Sequence, residues 1–147
     1  MIDARSSGRI LARLVASVPS PVPPEHVRAV VADYYATYAD GDLARREALF
    51  APSLRFEDPA GRVVATDSAS LHAFFTEVLP ASWSLDFRLE RVAVVAGEAL
   101  ATATMRLAVP DRMPVEVTLN AHFVLDGSGL IASVRVFFDE EAMRDAP

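Results

Sequence analysis

At 147 residues the chain has the length of one domain, and its 52% hydrophobic content is too high for a disordered segment. Its 14 basic residues, all of them Arg, stand against 20 acids for a net charge of -6, which argues against a nucleic-acid surface. With no Cys in the chain, disulfides, thiol catalysis and Cys-ligated metal are excluded.

The three His (His26, His72, His122) lie far apart and form no ligand motif. A Gly-rich phosphate loop and a G-x-S-x-G motif are both missing, so nucleotide binding and serine hydrolysis lack support. No apolar run reaches bilayer length, so no membrane span is expected and the chain is assigned to the cytoplasm.

In chain order, residues 1–18 carry a helical stripe of Ile10, Leu11, Leu14, Val15 and Val18 beside Arg5, Arg9 and Arg13. An Arg-rich, Ser-containing start can be read as a targeting segment, but Arg13 interrupts the apolar stretch. The preferred reading is an accessory helix that docks on the domain or on a partner. "PSPVPP" (19–24) follows as a stiff linker, so residues 1–23 are taken as an extension, 24–140 as the domain and 141–147 as a tail. Pro24 suits a helix start. Val27, Val30, Val31, Tyr34 and Tyr38 recur at helical spacing until "DG" at 40–41. Asp42 can cap a second short helix, "LARREALF", and Asp67 a third, in which Leu71, Phe74, Phe75 and Val78 share a face until Pro80.

Between those two helices, Leu54, Phe56 and Asp58 alternate with Ser53, Arg55 and Glu57. A strand over 53–58 puts Asp58 on the core side, where an ionised carboxylate must be paired, hydrated or used, and puts Glu57 on the surface. The bland reading is that Asp58 simply starts the turn "DPAG". Strands are predicted over 84–95, 98–108, 115–125 and 130–138, with turns at Gly97 and "DGSG" (126–129). Helices followed by a long antiparallel meander make an α+β fold, a strongly curved antiparallel sheet wrapped around three helices, with the N-terminal helix added.

"PEHVRAVVADYYATYADGDLARREALFAPSLRFEDPAG" and the closing "HF…DGSGLI.S…FF" resemble the bacterial Δ5-3-ketosteroid isomerases of the nuclear transport factor 2-like, or SnoaL-like, superfamily. The similarity runs from about Pro24 to about Asp139. "EDPxG" alone is shared by many members; its spacing from "PEHVRAVVADY" is more specific. The resemblance implies a cone-shaped fold around an apolar pocket, usually a homodimer through the sheet. It makes Asp58 the proton-shuttling base and Tyr34 the hydrogen-bond donor to the substrate oxygen. The family's second donor, a protonated Asp, falls on Ala121, and strand alternation points the adjacent Asn120 away from the pocket. Phe75 stands where the family often has a supporting Tyr, a part that Tyr35 or Tyr38 can take over. Phe56, Phe74, Met105, Leu107, Ala121, Val134 and Phe138 are expected to line the pocket, widened where Ala101 and Ala103 replace bulky residues. His122 is expected at the solvent or a dimer contact.

The implied activity is steroid delta-isomerase-like: moving a proton α to a carbonyl in a cyclic apolar ketone, with neither cofactor nor metal. The alternatives are epoxide hydrolysis, dehydration or polyketide cyclisation in the same cone, or a non-catalytic small-molecule-binding dimer module. No nucleic-acid or membrane partner is expected.

Overall fold

Residues 3–147 are described by a computed structural model. Helix α1 spans Gly8–Ser17, α2 Pro24–Asp40 and α3 Leu43–Ala48. Strands β1 (Phe50–Glu57) and β2 (Val63–Asp67) come next, then α4 (Ser68–Glu77). The remaining strands are β3 (Ser84–Val95), β4 (Glu98–Ala108), β5 (Val115–Leu125) and β6 (Ile131–Phe137). A short turn of helix at Glu140–Ala142 leads to β7 (Met143–Asp145).

Local chemistry sets the helix ends. Pro24 opens α2, and Gly41 closes it in the left-handed region at φ 66°, where its amide donates to the Thr37 carbonyl. The Asp42 carboxylate accepts from the Arg45 amide at the start of α3. Asp67 and Ser70 form a reciprocal capping box at the start of α4. Gly97, at φ 74°, makes the β3–β4 turn and lets Pro21 approach closely.

The strands form one curved sheet in the order β2-β1-β6-β5-β4-β3, with β7 added beside β5. It is mixed: β1 and β6 run parallel, with Phe56 opposite Val134, where a wholly antiparallel sheet was expected. A register shift between Leu89 and Arg91 helps to curl the β3–β4 ribbon. Helix α2 lies against β3 and β4, and α4 lies against β1 and β2. Val27, Val31, Leu71, Phe123 and Ile131 are fully buried between these layers.

Four expectations change. Phe50 leaves the second short helix and begins β1, which ends at Glu57. The tail is in part structural, since β7 pairs with Val115–Val117 and Ala146 is buried. Helix α1 buries none of its residues, and Leu11 is 65% exposed, so α1 does not dock on the domain. Glu57 is buried rather than on the surface: it accepts from the Gly61 amide at 2.8 Å and from Arg135 Nε at 3.0 Å. Alternation does turn it away from Phe56, but Arg135 of β6 covers that outer side. Hydrogen bonding by Gly61, then the charge of Arg135, holds its carboxyl below the usual range.

No described helix is long and apolar enough to cross a membrane, and no group of three or more potential metal ligands forms among the described residues.

Candidate active site

The concave side of the sheet and the helices enclose a cavity of about 400 Å³. Helix α2 contributes Tyr34, Tyr35 and Tyr38, and α3 contributes Arg46. Phe56, Asp58, Pro59 and Arg62 come from β1 and its turn, and Phe74, Phe75, Val78 and Leu79 from α4 and the residues after it. The sheet wall is Leu85, Phe87, Met105, Leu107, Leu119, Ala121, Phe123, Val134, Val136 and Phe138. The structure therefore places Tyr34, Asp58, Phe56, Phe74, Met105, Leu107, Ala121, Val134 and Phe138 around one space. Ala101 and Ala103 are fully buried but do not border it, because α2 packs over β4; their small size does not widen the cavity.

Asp58 begins a tight turn. Its amide donates to the Arg62 carbonyl and the Arg62 amide to the Pro59 carbonyl, both at 2.9 Å. The Asp58–Pro59 peptide is cis, and Gly61 takes φ 98°. The Asp58 carboxylate makes no ion pair among the described residues; Arg62 Nη1 instead donates to the Asp58 backbone carbonyl at 3.0 Å. Burial raises the Asp58 carboxyl above its ordinary value, opposed by the charge of Arg62. Turn residue and cavity carboxylate are thus the same residue, so the two readings of "DPAG" do not compete.

The Tyr34 and Tyr38 hydroxyls are hydrogen-bonded at 2.9 Å. The Tyr34 ring sits edge-on to Tyr35, Phe50 and Phe123. Burial pushes the Tyr34 phenol well above its usual range, so it remains a protonated hydroxyl. Burial also raises Tyr38, but there the Arg46 charge opposes it. Asp58 adds to the rise at Tyr35 and Tyr38, while Arg46 acts on Tyr34 and Tyr38. Tyr38 is thus the tyrosine on which both the acid and the cation act. Its hydroxyl is the support for Tyr34 that Phe75 cannot offer.

Arg46 was not anticipated. It is 8% exposed, and its guanidinium stacks 3.5 Å from the Tyr38 ring centroid and 4.9 Å from that of Phe75. The signal was present in the spacing Leu43-Arg46-Leu49, which aligns Arg46 with an inward face while Arg45 turns out to Asp33. Asn120 points out of the cavity and accepts from Thr102 Oγ1 at 2.8 Å. His122 meets Glu98 at 2.6 Å on the same outer side.

A curved mixed sheet closed by helices over a cavity, bordered by a carboxylate at a strand end and by three tyrosines, defines a nuclear transport factor 2-like protein. The SnoaL-like domain family matches residues 31–134, and the chain belongs to that family. It is 30% identical over 112 residues to the steroid delta-isomerase of Nocardioides simplex, which covers 76% of this chain and 89% of that one. The Δ5-3-ketosteroid isomerase of a Mycobacterium species superposes with TM-score 0.70 at 22% identity, covering 87% of this chain and all of that one. The epoxide hydrolase/cyclase-like enzyme SalBIII superposes equally well, TM-score 0.70 at 19% identity, over 83% of this chain and 97% of that one.

Proposed function

We propose that the protein is a steroid delta-isomerase-like enzyme of the cytoplasm that moves a proton α to the carbonyl of a cyclic, largely apolar ketone. The observation that carries this reading is an unpaired carboxylate, Asp58, raised by burial and sharing an apolar cavity with the Tyr34–Tyr38 hydroxyl pair. Asp58 takes the proton from the carbon beside the carbonyl, and electron density moves onto the carbonyl oxygen as an enolate. Tyr34 donates a hydrogen bond to that oxygen, and Tyr38 orients Tyr34. Protonated Asp58 then returns the proton to a conjugated carbon, completing the isomerisation with no net change in protons. A raised carboxyl makes a stronger base toward carbon, and the apolar wall keeps water from competing.

The test is spectroscopic isomerisation of a 5-ene-3-ketosteroid by the wild type, Asp58→Asn and Tyr34→Phe. Asp58→Asn should remove turnover, and Tyr34→Phe should lower it by roughly 10²–10³-fold, as loss of an oxyanion donor does. Full activity in Asp58→Asn ends the assignment.

A second reading, epoxide hydrolysis or cyclisation with Asp58 as the acid/base, is favoured by one observation: Ala121 leaves the enolate a single anchored donor. Asp58-dependent turnover of an epoxide, without steroid turnover, would select it.

The outer sheet face carries Leu100, 51% exposed, and half-buried Val124 towards one end of β4 and half-buried Ala108 at the other. We propose that two copies pair across it, near Asn120 and His122. Light scattering at micromolar concentration should give the dimer mass; a monomer mass refutes the pairing.

A further inference from the structure

Arg46 is a buried cation with no acidic partner. No carboxylate among the described residues pairs with it; Nε donates to Thr37 Oγ1 at 3.0 Å and Nη2 to the Thr37 carbonyl at 3.4 Å. Both acceptors are neutral. Thr37 is itself fully buried and anchored to the Tyr34 carbonyl, so the guanidinium is gripped along one edge. Its flat faces are held between the Tyr38 and Phe75 rings. The remaining nitrogen, Nη1, makes no hydrogen bond to any described residue, yet no polar side-chain atom is left sealed without a partner. Nη1 therefore has open space beside it, and Arg46 borders the cavity.

Burying an unpaired charge is costly, and stacking plus two neutral acceptors offsets only part of that cost. A guanidinium with one edge fixed and the other free presents donors that fit a carboxylate. Asp58 does not fill this place: it forms no ion pair among the described residues, and of the arginines only Arg62 perturbs it. The cavity thus holds two separate polar points, an acid at the β1 turn and a cation at α3.

We propose that Arg46 is a carboxylate-recognition site, and that the natural ligand is a cyclic apolar molecule bearing an anionic group, docked on Nη1. This rests on the cavity being the substrate site and adds a substrate class to the function proposed above. The apolar body lies along the Phe56, Phe87 and Met105 side, and the anion sits on the α3 side. In that pose the anion is also kept away from Asp58, which would repel it.

The experiment is calorimetric binding of testosterone hemisuccinate and its methyl ester to the wild type, Arg46→Met and Arg46→Lys. A charge-assisted hydrogen bond in a partly buried site predicts that the acid binds the wild type about 10- to 100-fold tighter than the ester. Arg46→Met should erase that preference, and a cooperative thermal melt shows that the variant is folded. Arg46→Lys should keep a reduced preference, because the charge remains but the fixed edge on Thr37 is lost. Equal affinity of acid and ester for the wild type overturns the proposal, as does a preference that survives Arg46→Met or a failure of the wild type to bind either probe. Turnover of a neutral ketosteroid is a separate readout: its absence with the acid preference intact rejects the isomerase and spares the anion site.

Discussion

Ala121→Asp tests the isomerase chemistry by gain rather than loss. Ala121 is 1% exposed in the cavity wall, flanked in the sheet by Ala101 and Val136, both buried. A carboxyl placed there meets apolar neighbours, so burial keeps it protonated and able to donate. One oxyanion-hole donor is worth about 10²–10³ in turnover, roughly 2.7–4 kcal/mol at the transition state. Without substrate, that same hydroxyl has no partner in the wall. The cost is about 1–3 kcal/mol of stability, which at about 2–4 °C per kcal/mol for a chain of this size lowers Tm by roughly 2–12 °C. Activity and stability should therefore move in opposite directions. The assay follows conjugated enone absorbance for the wild type, Ala121→Asp, Asp58→Asn and the double variant, with thermal melts on each. The single Ala121→Asp variant should turn over faster, and the double variant not at all. An Ala121→Asp protein that melts cooperatively and binds the ketosteroid, but gains no rate, refutes the placement of the substrate oxygen beside residue 121.

The other expectations concern stability. The raised carboxyl of Asp58 means that the folded state holds the proton more tightly than the unfolded chain does. Its contribution is full below the ordinary value of 3.8 and is lost as pH rises through the raised one. Asp58→Asn, which mimics the protonated form, should therefore raise Tm at neutral pH and lose that advantage in acid; a lower Tm at pH 7 contradicts it. Glu57 has the opposite sign: its lowered carboxyl stabilises above the ordinary 4.5, and this is lost as pH falls through the lowered value. Glu57→Gln should lower Tm at neutral pH, with the deficit closing in acid. Phe123, fully buried with its ring centroid 5.5 Å from that of Tyr34, should cost about 3–5 kcal/mol on Phe123→Ala, read from urea midpoints. Removing residues up to Val18 should leave Tm unchanged, since α1 buries nothing.

Features of the fold that depend on neighbours in sequence were legible. Asp42 and Asp67 cap the helices they were expected to cap, and Gly41 stops α2. The alternation of Val117, Leu119, Ala121, Phe123 and Leu125 marks β5, because one face is buried from Val117 to Leu125. Strand β2 was missed because its five residues run straight into the Asp67 cap with no turn signal to separate them. The parallel pairing of β1 with β6 leaves no local mark, since its partners, Phe56 and Val134, are far apart in the chain. The error at Glu57 has the same root. Alternation gave the correct side, but only the β1–β6 pairing brings Arg135 over it.

The candidate site divides along similar lines. Asp58 drew attention because a carboxylate broke an apolar parity, and its partners, Tyr34 and Tyr38, lie one helical turn apart on α2, a spacing that makes their hydroxyl bond a local event. Arg46 carried a weaker signal, its spacing between Leu43 and Leu49. An arginine in "LARREA" reads as a solvated helix face, and Arg45, its neighbour, behaves in that way. What draws Arg46 inward is the packing of α3 against α2, which presents Thr37 to one edge of the guanidinium and Tyr38 to its face. Tyr38 then has two roles that conflict if the two charges meet. It must keep the Arg46 cation stacked, and it must keep its hydroxyl on Tyr34. An Arg46–Asp58 ion pair would pull the guanidinium off that ring and neutralise the carboxylate a proton shuttle needs. With Arg46 held on the Tyr38 ring and Asp58 outside any ion pair among the described residues, both border the cavity without neutralising each other.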